Sequence, residues 1–289
     1  MNDKVFVSIG IPFYNAEEHL SNAIKSVIGQ THSYWELILI DDGSSDNSLA
    51  IANEFSRKDN RIRVISDGRN EKLPARLNQM IKEAKYDYFA RMDADDLMHP
   101  QRLEKQLKFL INNPDFDVVS TGLISIDSKN NVKGFRAVNK KTVDLNPMNG
   151  QYPIVHPSIM ARKTWYIRNN YSEKYPRAED YELWTRTLKA NDLKIMILPE
   201  LLLFYREEGS LSKDKILKSY KDIINIQLDY FKGDNYSVIF KYKLKSYIVI
   251  ILATVGGLQL LAKSRNKIFA NTELIDFQNI LNNIVSSEI

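Results

Sequence analysis

Between Val5 and Thr121, five short apolar runs alternate with segments whose apolar residues recur every three or four positions. Val5 to Ile11, Trp35 to Ile40, Arg61 to Ile65, Tyr86 to Met92 and Asp117 to Thr121 have the length and composition of buried strands. Leu20, Ala23, Ile24, Val27 and Ile28 mark the stripe of a core-facing helix. Leu49 to Phe55, Pro74 to Ala84 and a segment opened by Pro100 at its first helical position repeat the pattern. Alternation at this pace predicts an α/β chain with a mostly parallel sheet and right-handed crossovers. Open sheets of that kind bind ligands beyond the carboxyl ends of their strands.

Polar residues gather at three of those ends. Asp93, Asp95 and Asp96 follow the run from Tyr86, and carboxylates this close repel unless a cation sits among them. Asp93 and Asp95 share a face of an extended segment, and oxygen-only ligands there suit Mg²⁺ or Mn²⁺ holding a phosphate. The alternative is an acidic loop that caps the helix at Pro100. Phe13-Tyr14-Asn15 ends the first strand; Tyr14 is either a stacking ring for a nucleobase or a half-buried tyrosine. Asn15, three residues before Glu18, reads as a helix cap. Asp41 opens the third cluster and has the chemistry to accept a hydrogen bond from a base N–H. Capping is its other reading, though Asp46 or Ser45 is better placed for that. No glycine-rich phosphate loop follows any strand, so a bound diphosphate would depend on a metal.

At 289 residues the chain suits one large domain, alone or with an appendage. Cysteine is absent, which removes disulfides, thiolate metal sites and thiol nucleophiles. Met1 to Phe6 lacks the pattern of a signal peptide, and the expected location is the cytoplasm. Residues 124–153 read as loop, with a turn at 127–131, and Leu201 to Tyr205 as a further strand. Lys213 to Phe231 reads as a helix. From Asn235 through Thr272 there is no acidic residue. Lys241, Lys243 and Lys245 precede an uncharged run, Ser246 to Ala262, and Lys263, Arg265 and Lys267 follow it. As a helix that run is about 25 Å long, against the roughly 30 Å needed to span a bilayer. It is expected to lie at a membrane surface through residues 241–267; the alternative is a helix buried against the rest of the chain or a second subunit. Leu274, Phe277, Leu281 and Ile284 form a last amphipathic helix that packs back or makes a homodimer. The basic cluster brackets aliphatic residues rather than stacking aromatics, so no nucleic-acid partner is expected.

Three stretches together resemble the family 2 glycosyltransferases: Val7 to Asn15, Ile24 to Thr31 and Glu36 to Asp46. Arg91-Met92-Asp93-Ala94-Asp95-Asp96, with Pro100, Arg102, Leu103, Glu104 and Gln106, continues the match. So do His156 to Met160 and Ala178-Glu179-Asp180-Tyr181-Glu182-Leu183-Trp184. The resemblance implies a GT-A fold: a Rossmann-like, mostly parallel sheet over residues 1–212, with residues 213–289 a C-terminal helical appendage. It implies transfer of a hexose, with inversion, from a UDP-sugar to a hydroxyl of a lipid-diphosphate-linked saccharide in bacterial surface polysaccharide assembly. Pro12, Tyr14 and Asp41 would line the uridine pocket, with Arg76 near the donor. Asp93 and Asp95 would take the DxD positions that hold Mn²⁺ or Mg²⁺ and the donor, and Asp180 would be the catalytic base. Glu179, Asp96, Arg206 and His156 would support them. An idle membrane-bound scaffold and a nucleotidyltransferase are the alternatives. The family's frequent histidine is missing from Tyr205 to Ser212, which leaves Arg206 as a substitute contact to the diphosphate. A glycine is missing near Leu73 to Asn78, with an effect on sugar choice.

Overall fold

A computed structural model describes residues 4–137, 145–207, 212–258 and 267–287. Strands β1 (Val7–Phe13), β2 (Trp35–Asp41), β3 (Ile62–Ser66) and β4 (Tyr88–Arg91) form the parallel half of the sheet, in the order β3-β2-β1-β4. Register pairs Phe13 with Asp41 and Gly10 with Arg91, so the ends of β1, β2 and β4 open on one edge. Helices α1 (Leu20–Ile28), α2 (Ser48–Lys58) and α3 (Leu73–Glu83) connect these strands. Alternate strand residues feed two cores. Ile9, Ile11, Leu37 and Leu39 pack with α1 and α2, while Ile38 and Ile40 pack with Leu77, Met80 and Ile81 of α3. At Gly10 the second layer comes too close for any side chain: a Cβ would lie 2.7 Å from the Phe89 ring and 2.8 Å from Met80 Sδ.

Beyond β4 the sheet becomes mixed. Strand β5 (Leu97–Met98) is followed by α4 (Arg102–Asn112), β6 (Val118–Ile126), β7 (Val132–Arg136) and β8 (Met160–Arg162). Next come α5 (Lys163–Arg168), α6 (Glu179–Lys189) and β9 (Ile195–Arg206). The order continues β4-β8-β6-β9-β5, with β7 beside β6. Among the described residues, only the β6–β9 pair is parallel in this half.

Three expectations need correction. Residues 124–153 are not all loop: β6 runs to Ile126 and β7 returns antiparallel after the turn at 127–131. The strand expected from Asp117 to Thr121 is the first part of β6, whose polar residues are Ser120, Thr121 and Ser125. They are buried and satisfied, with Ser120 Oγ 2.8 Å from Ser158 Oγ and Ser125 Oγ donating to Glu207 Oε2 at 2.7 Å. Helix α4 starts at Arg102 rather than Pro100, whose carbonyl accepts from Thr31 N–H at 2.9 Å. Asn15 caps no helix; at φ 48° it accepts from Ser45 N–H at 2.8 Å and ties the ends of β1 and β2.

The C-terminal residues fold against this body. Helix α7 (Lys213–Phe231) leads to α8 (Tyr236–Thr254) and, after residues outside the described set, to α9 (Asn271–Ser286). Val238 and Tyr242 of α8 join Ile223 and Ile226 of α7 in a core with Tyr181 of α6. Leu281 and Ile284 of α9 pack on β6 and β7, and Lys25 Nζ donates to Val285 O at 3.1 Å. Among the described residues no helix is long and apolar enough to cross a membrane.

Candidate active site

Arg91 ends β4 and Leu97 starts β5, so the aspartate loop is pinned at both ends: Met92 N–H donates to Gly10 O at 3.1 Å, and Leu97 pairs with Phe204 of β9. Its three carboxylates have different surroundings. Asp93 is half-buried and ion-paired with Arg91 Nη2. Asp95 reaches solvent, yet the surrounding protein and then the charge of Asp93 push its pKa up to about 6. Asp96 is fully buried, and burial followed by Asp95 and Asp93 raises its pKa well above the usual range. Its Oδ1 accepts from Arg206 N–H at 2.9 Å, which fixes the loop to β9 and is no cap for α4.

Arg91 stands between this loop and the start of α6. Its guanidinium is buried, with Nε and Nη1 making no hydrogen bond. Burial opposes its charge, but Asp93, Tyr171, Tyr166 and Glu179 together keep its pKa above the ordinary arginine value. A second buried arginine, Arg102, donates from Nη2 to Arg91 O at 2.7 Å and holds the strand end.

On the far side, Asp180 and Glu179 open α6. Asp180 Oδ1 accepts from Tyr181 N–H at 2.7 Å, and burial raises its pKa. Glu179 is pushed up to about 8 by burial and then by Asp180. Asp180 lines two adjoining cavities of about 330 and 930 Å³. The smaller also takes in His156, Arg136 and Tyr205. His156 is buried against Trp184 and within 2.7 Å of Tyr171 OH; burial and Arg91 hold its pKa far below neutral, so it is uncharged.

At the ends of β1 and β2, Pro12 is buried while the Tyr14 ring is 54% exposed, a flat surface open to a ligand. Asp41 is buried and accepts from Ser44 N–H and Ser66 Oγ, each at 2.9 Å. Arg76 is also buried: it donates from Nε to Asp42 at 2.9 Å and from Nη2 to Asp67 at 2.7 Å. Asp42 in turn accepts from Glu71 N–H at 2.7 Å, so this pair sets the loop beside the Tyr14 ring's strand end. Arg206 donates from Nε to Asp95 O at 3.0 Å, from Nη2 to Asn130 at 2.6 Å and from Nη1 to Asp127 O, tying the aspartate loop to the β6–β7 turn. Both arginines therefore act on the loops around them in this structure. Residues 208–211, where the missing histidine was sought, lie outside the described set.

Asp93, Asp95, Asp180, Glu179 and His156 thus surround Arg91, with Tyr14 and Asp41 on the neighbouring strand ends. The sequence alone assigns Arg91 no role within its motif. The signal was there: a lone arginine in the apolar run Phe89 to Met92 must be buried with a partner. Lys245 and Tyr242, which line the larger cavity, carry no sequence mark that links them to Asp180.

A divalent cation fits the acidic loop. Asp95 is a solvent-reaching carboxylate whose pKa is raised by the surrounding protein and then by the charge of Asp93, and a cation would offset both. Among the described residues no group of three or more potential ligands is assembled. Two carboxylates leave the remaining positions to phosphate oxygens and water, as Mg²⁺ and Mn²⁺ sites commonly do.

A parallel half-sheet with an acidic loop at its edge and a buried carboxylate across Arg91 is in keeping with a glycosyltransferase of the GT-A fold, and the comparisons with known proteins agree. The profile of glycosyl transferase family 2 matches residues 8–171. An uncharacterized glycosyltransferase of Methanocaldococcus jannaschii is 31% identical, over 92% of this chain and 95% of that protein. The Escherichia coli UDP-Glc:alpha-D-GlcNAc-diphosphoundecaprenol beta-1,3-glucosyltransferase WfgD is 30% identical, over 86% of this chain and 94% of that protein. In fold, the chain is similar to a mannosyltransferase from Pyrobaculum calidifontis solved with GDP-Man and Mn²⁺, with a TM-score of 0.61, 13% identity, and coverage of 96% of this chain and 84% of that one. The chain belongs to glycosyl transferase family 2.

Proposed function

We propose that this protein transfers a hexose from a UDP-sugar, with inversion, to a hydroxyl of a lipid-linked saccharide during assembly of a bacterial surface polysaccharide such as capsule or O-antigen. Residues 1–212 bind donor and acceptor; residues 213–289 complete the acceptor side and meet the inner face of the cell membrane. The observation that carries the reading is the position of Asp180, at the junction of two cavities and across Arg91 from Asp93 and Asp95. An inverting displacement needs a base and a leaving-group site on opposite sides of the sugar. The E. coli relative supports the donor and acceptor classes by what it acts on.

Uracil stacks on Tyr14, with Pro12 and Asp41 shaping the base pocket, while Arg76 holds the adjoining loop through Asp42. Asp93 and Asp95 would hold Mn²⁺ or Mg²⁺; the cation would neutralise charge developing on the departing diphosphate. Asp180 accepts the proton of the acceptor hydroxyl as that oxygen bonds to the anomeric carbon and the bond to UDP breaks. Its burial raises its pKa and with it its basicity, while the Tyr181 N–H and the charge of Arg91 work the other way. Neutral His156 closes the smaller cavity and competes for no proton.

The test is release of UDP from a panel of UDP-sugars with Mn²⁺, with and without a lipid-diphosphate saccharide. Asp180→Asn should lower kcat about 10²- to 10⁴-fold, the usual worth of a general base. Asp95→Asn should also weaken UDP binding in the presence of Mn²⁺. Wild-type turnover by Asp180→Asn overturns the base assignment. Release of pyrophosphate instead of UDP points to nucleotidyl transfer, and no turnover of any donor to a scaffold.

A further inference from the structure

The aspartate loop is held from behind by a chain of contacts that ends in the C-terminal helix α9. Its nearest support is Arg206, whose N–H donates to Asp96 Oδ1 at 2.9 Å and whose Nε donates to Asp95 O at 3.0 Å. The same buried guanidinium donates from Nη2 to Asn130 Oδ1 at 2.6 Å and from Nη1 to Asp127 O. All three of its nitrogens are engaged, so it follows the β6–β7 turn. That turn is gripped from its other side by Gln278 of α9. Val132 N–H donates to Gln278 Oε1 and Gln278 Nε2 donates to Asn130 O, each at 2.9 Å. Asn130, in the left-handed region at φ 63°, is thus fixed through its carbonyl by α9 and through its side chain to Arg206.

The preceding residue of α9 supports the other end of the loop. The Phe277 ring meets His99 and Phe204 edge-on, with centroids 6.3 and 6.5 Å away. Phe204 pairs with Leu97, where the loop enters β5, and His99 N–H donates to Leu202 O at 3.1 Å just beyond. Two successive residues of one helix therefore back the loop by separate routes, one of hydrogen bonds through Arg206 and one of packed rings through β5. Seating the helix does not require the first route, because Leu281 and Ile284 already bury its apolar stripe against β6 and β7. Gln278 is the polar residue beside that stripe, and it spends its amide on main-chain groups of the turn.

We propose that Gln278 is a positioning residue for the aspartate loop. It fixes the β6–β7 turn, the turn fixes the Arg206 guanidinium, and Arg206 fixes the carbonyl of Asp95 and the carboxylate of Asp96, which set the direction of the Asp93 and Asp95 side chains. Coupling of this kind travels through contiguous contacts that are all made in one arrangement and all loosened in another. The C-terminal helix, outside the stretch that matches the family profile, thereby tunes the loop. The consequence for a bound cation rests on the reading of Asp93 and Asp95 as its ligands; the hold of Gln278 on the loop does not.

The test compares Gln278→Leu with Leu281→Val in the full-length protein. Leucine at 278 keeps helix propensity but makes no hydrogen bond. Leu281→Val trims a fully buried side chain and lowers stability without touching the turn. Hydrogen exchange of the metal-free protein is read first. The amides of 92–98 and 127–132 should exchange at least about threefold faster in Gln278→Leu, with β1 and β2 unchanged, and Leu281→Val should show no such local change. Calorimetry then follows UDP binding with and without Mn²⁺. The gain in UDP affinity that Mn²⁺ brings should shrink about 3- to 10-fold in Gln278→Leu, while affinity without Mn²⁺ holds. Unchanged exchange at 92–98 in Gln278→Leu overturns the proposal. So does a loss that Leu281→Val reproduces at matched stability, since that is general loosening of the fold. A wild type whose UDP affinity is indifferent to Mn²⁺ counts against the cation reading of Asp93 and Asp95, and the exchange measurement then decides the role of Gln278 by itself.

Discussion

Arg91 concentrates the electrostatics of the site on one side chain. It pairs with Asp93 on the side of the aspartate loop, and its charge lowers the pKa of Asp180 on the other, against the burial that raises it. As the proposed base Asp180 must be ionised to accept a proton, so activity should fall as pH drops through its raised pKa. Removing the guanidinium leaves burial and the charge of Asp93 opposed by backbone N–H groups alone, which raises that pKa further. Arg91→Met is therefore expected to move the acidic limb of the kcat/KM profile to higher pH, with part of the lost rate recovered in alkaline buffer. Asp93 also loses its partner, so UDP affinity with Mn²⁺ should change in the same variant. An acidic limb that stays where the wild type has it would rule out this coupling.

The β6–β7 turn is where one element holds another in place. Asp127 accepts from Lys129 N–H at 2.9 Å and Asn131 N–H at 2.8 Å and pairs with Lys133, while its carbonyl accepts from Arg206. Burial works to raise its pKa, but Lys133 and Asn131 outweigh it and hold the carboxylate down to about 2. A depressed folded-state pKa gives stability that is complete above the unfolded value near 4 and is lost as pH falls through about 2. Asp127→Asn should cost about 1–2 kcal/mol at pH 7 by urea unfolding, with the gap to the wild type narrowing below pH 4. A gap that is flat with pH would exclude the linkage. This region also shows what sequence can disclose. The parallel half-sheet was legible because its strands are buried on both faces and read as plain apolar runs. The acidic loop and Asp180 were legible as motifs. The start of β6 was legible as the run Asp117 to Thr121, but its continuation to Ile126 and all of β7 were not, because Ser125 is satisfied by Glu207, far along the chain. The anchoring roles of Arg76 and Arg206 were hidden for the same reason: each depends on partners that only tertiary structure brings together.

At the scale of the molecule, α8 has two different sides. Val238, Ile239, Tyr242 and Val249 are buried against the body of the protein, while the opposite side leaves aromatic and aliphatic residues exposed beside Lys241 and Lys243. For residues 241–267 the sequence offers a helix at a membrane surface or one buried in protein; α8 covers this stretch as far as Thr254, buried on one side and exposed on the other. An exposed apolar stripe flanked by lysines, in a stretch with no acidic residue from Asn235 to Thr272, is complementary to an anionic bilayer. Each lysine near such a surface contributes about 1 kcal/mol, so Lys241 and Lys243 together supply roughly 2 kcal/mol at low ionic strength, about thirtyfold in partitioning. The protein should therefore co-sediment with phosphatidylglycerol-containing vesicles, stay in solution with pure phosphatidylcholine, and be released as salt shortens the Debye length. Phe240→Ser with Ile251→Ser should weaken retention on the anionic vesicles but leave its salt dependence, because the apolar and charged contributions are separate. If a second copy of the chain covers this face instead, light scattering will show a dimer that the same two substitutions dissociate, and vesicles will retain neither form.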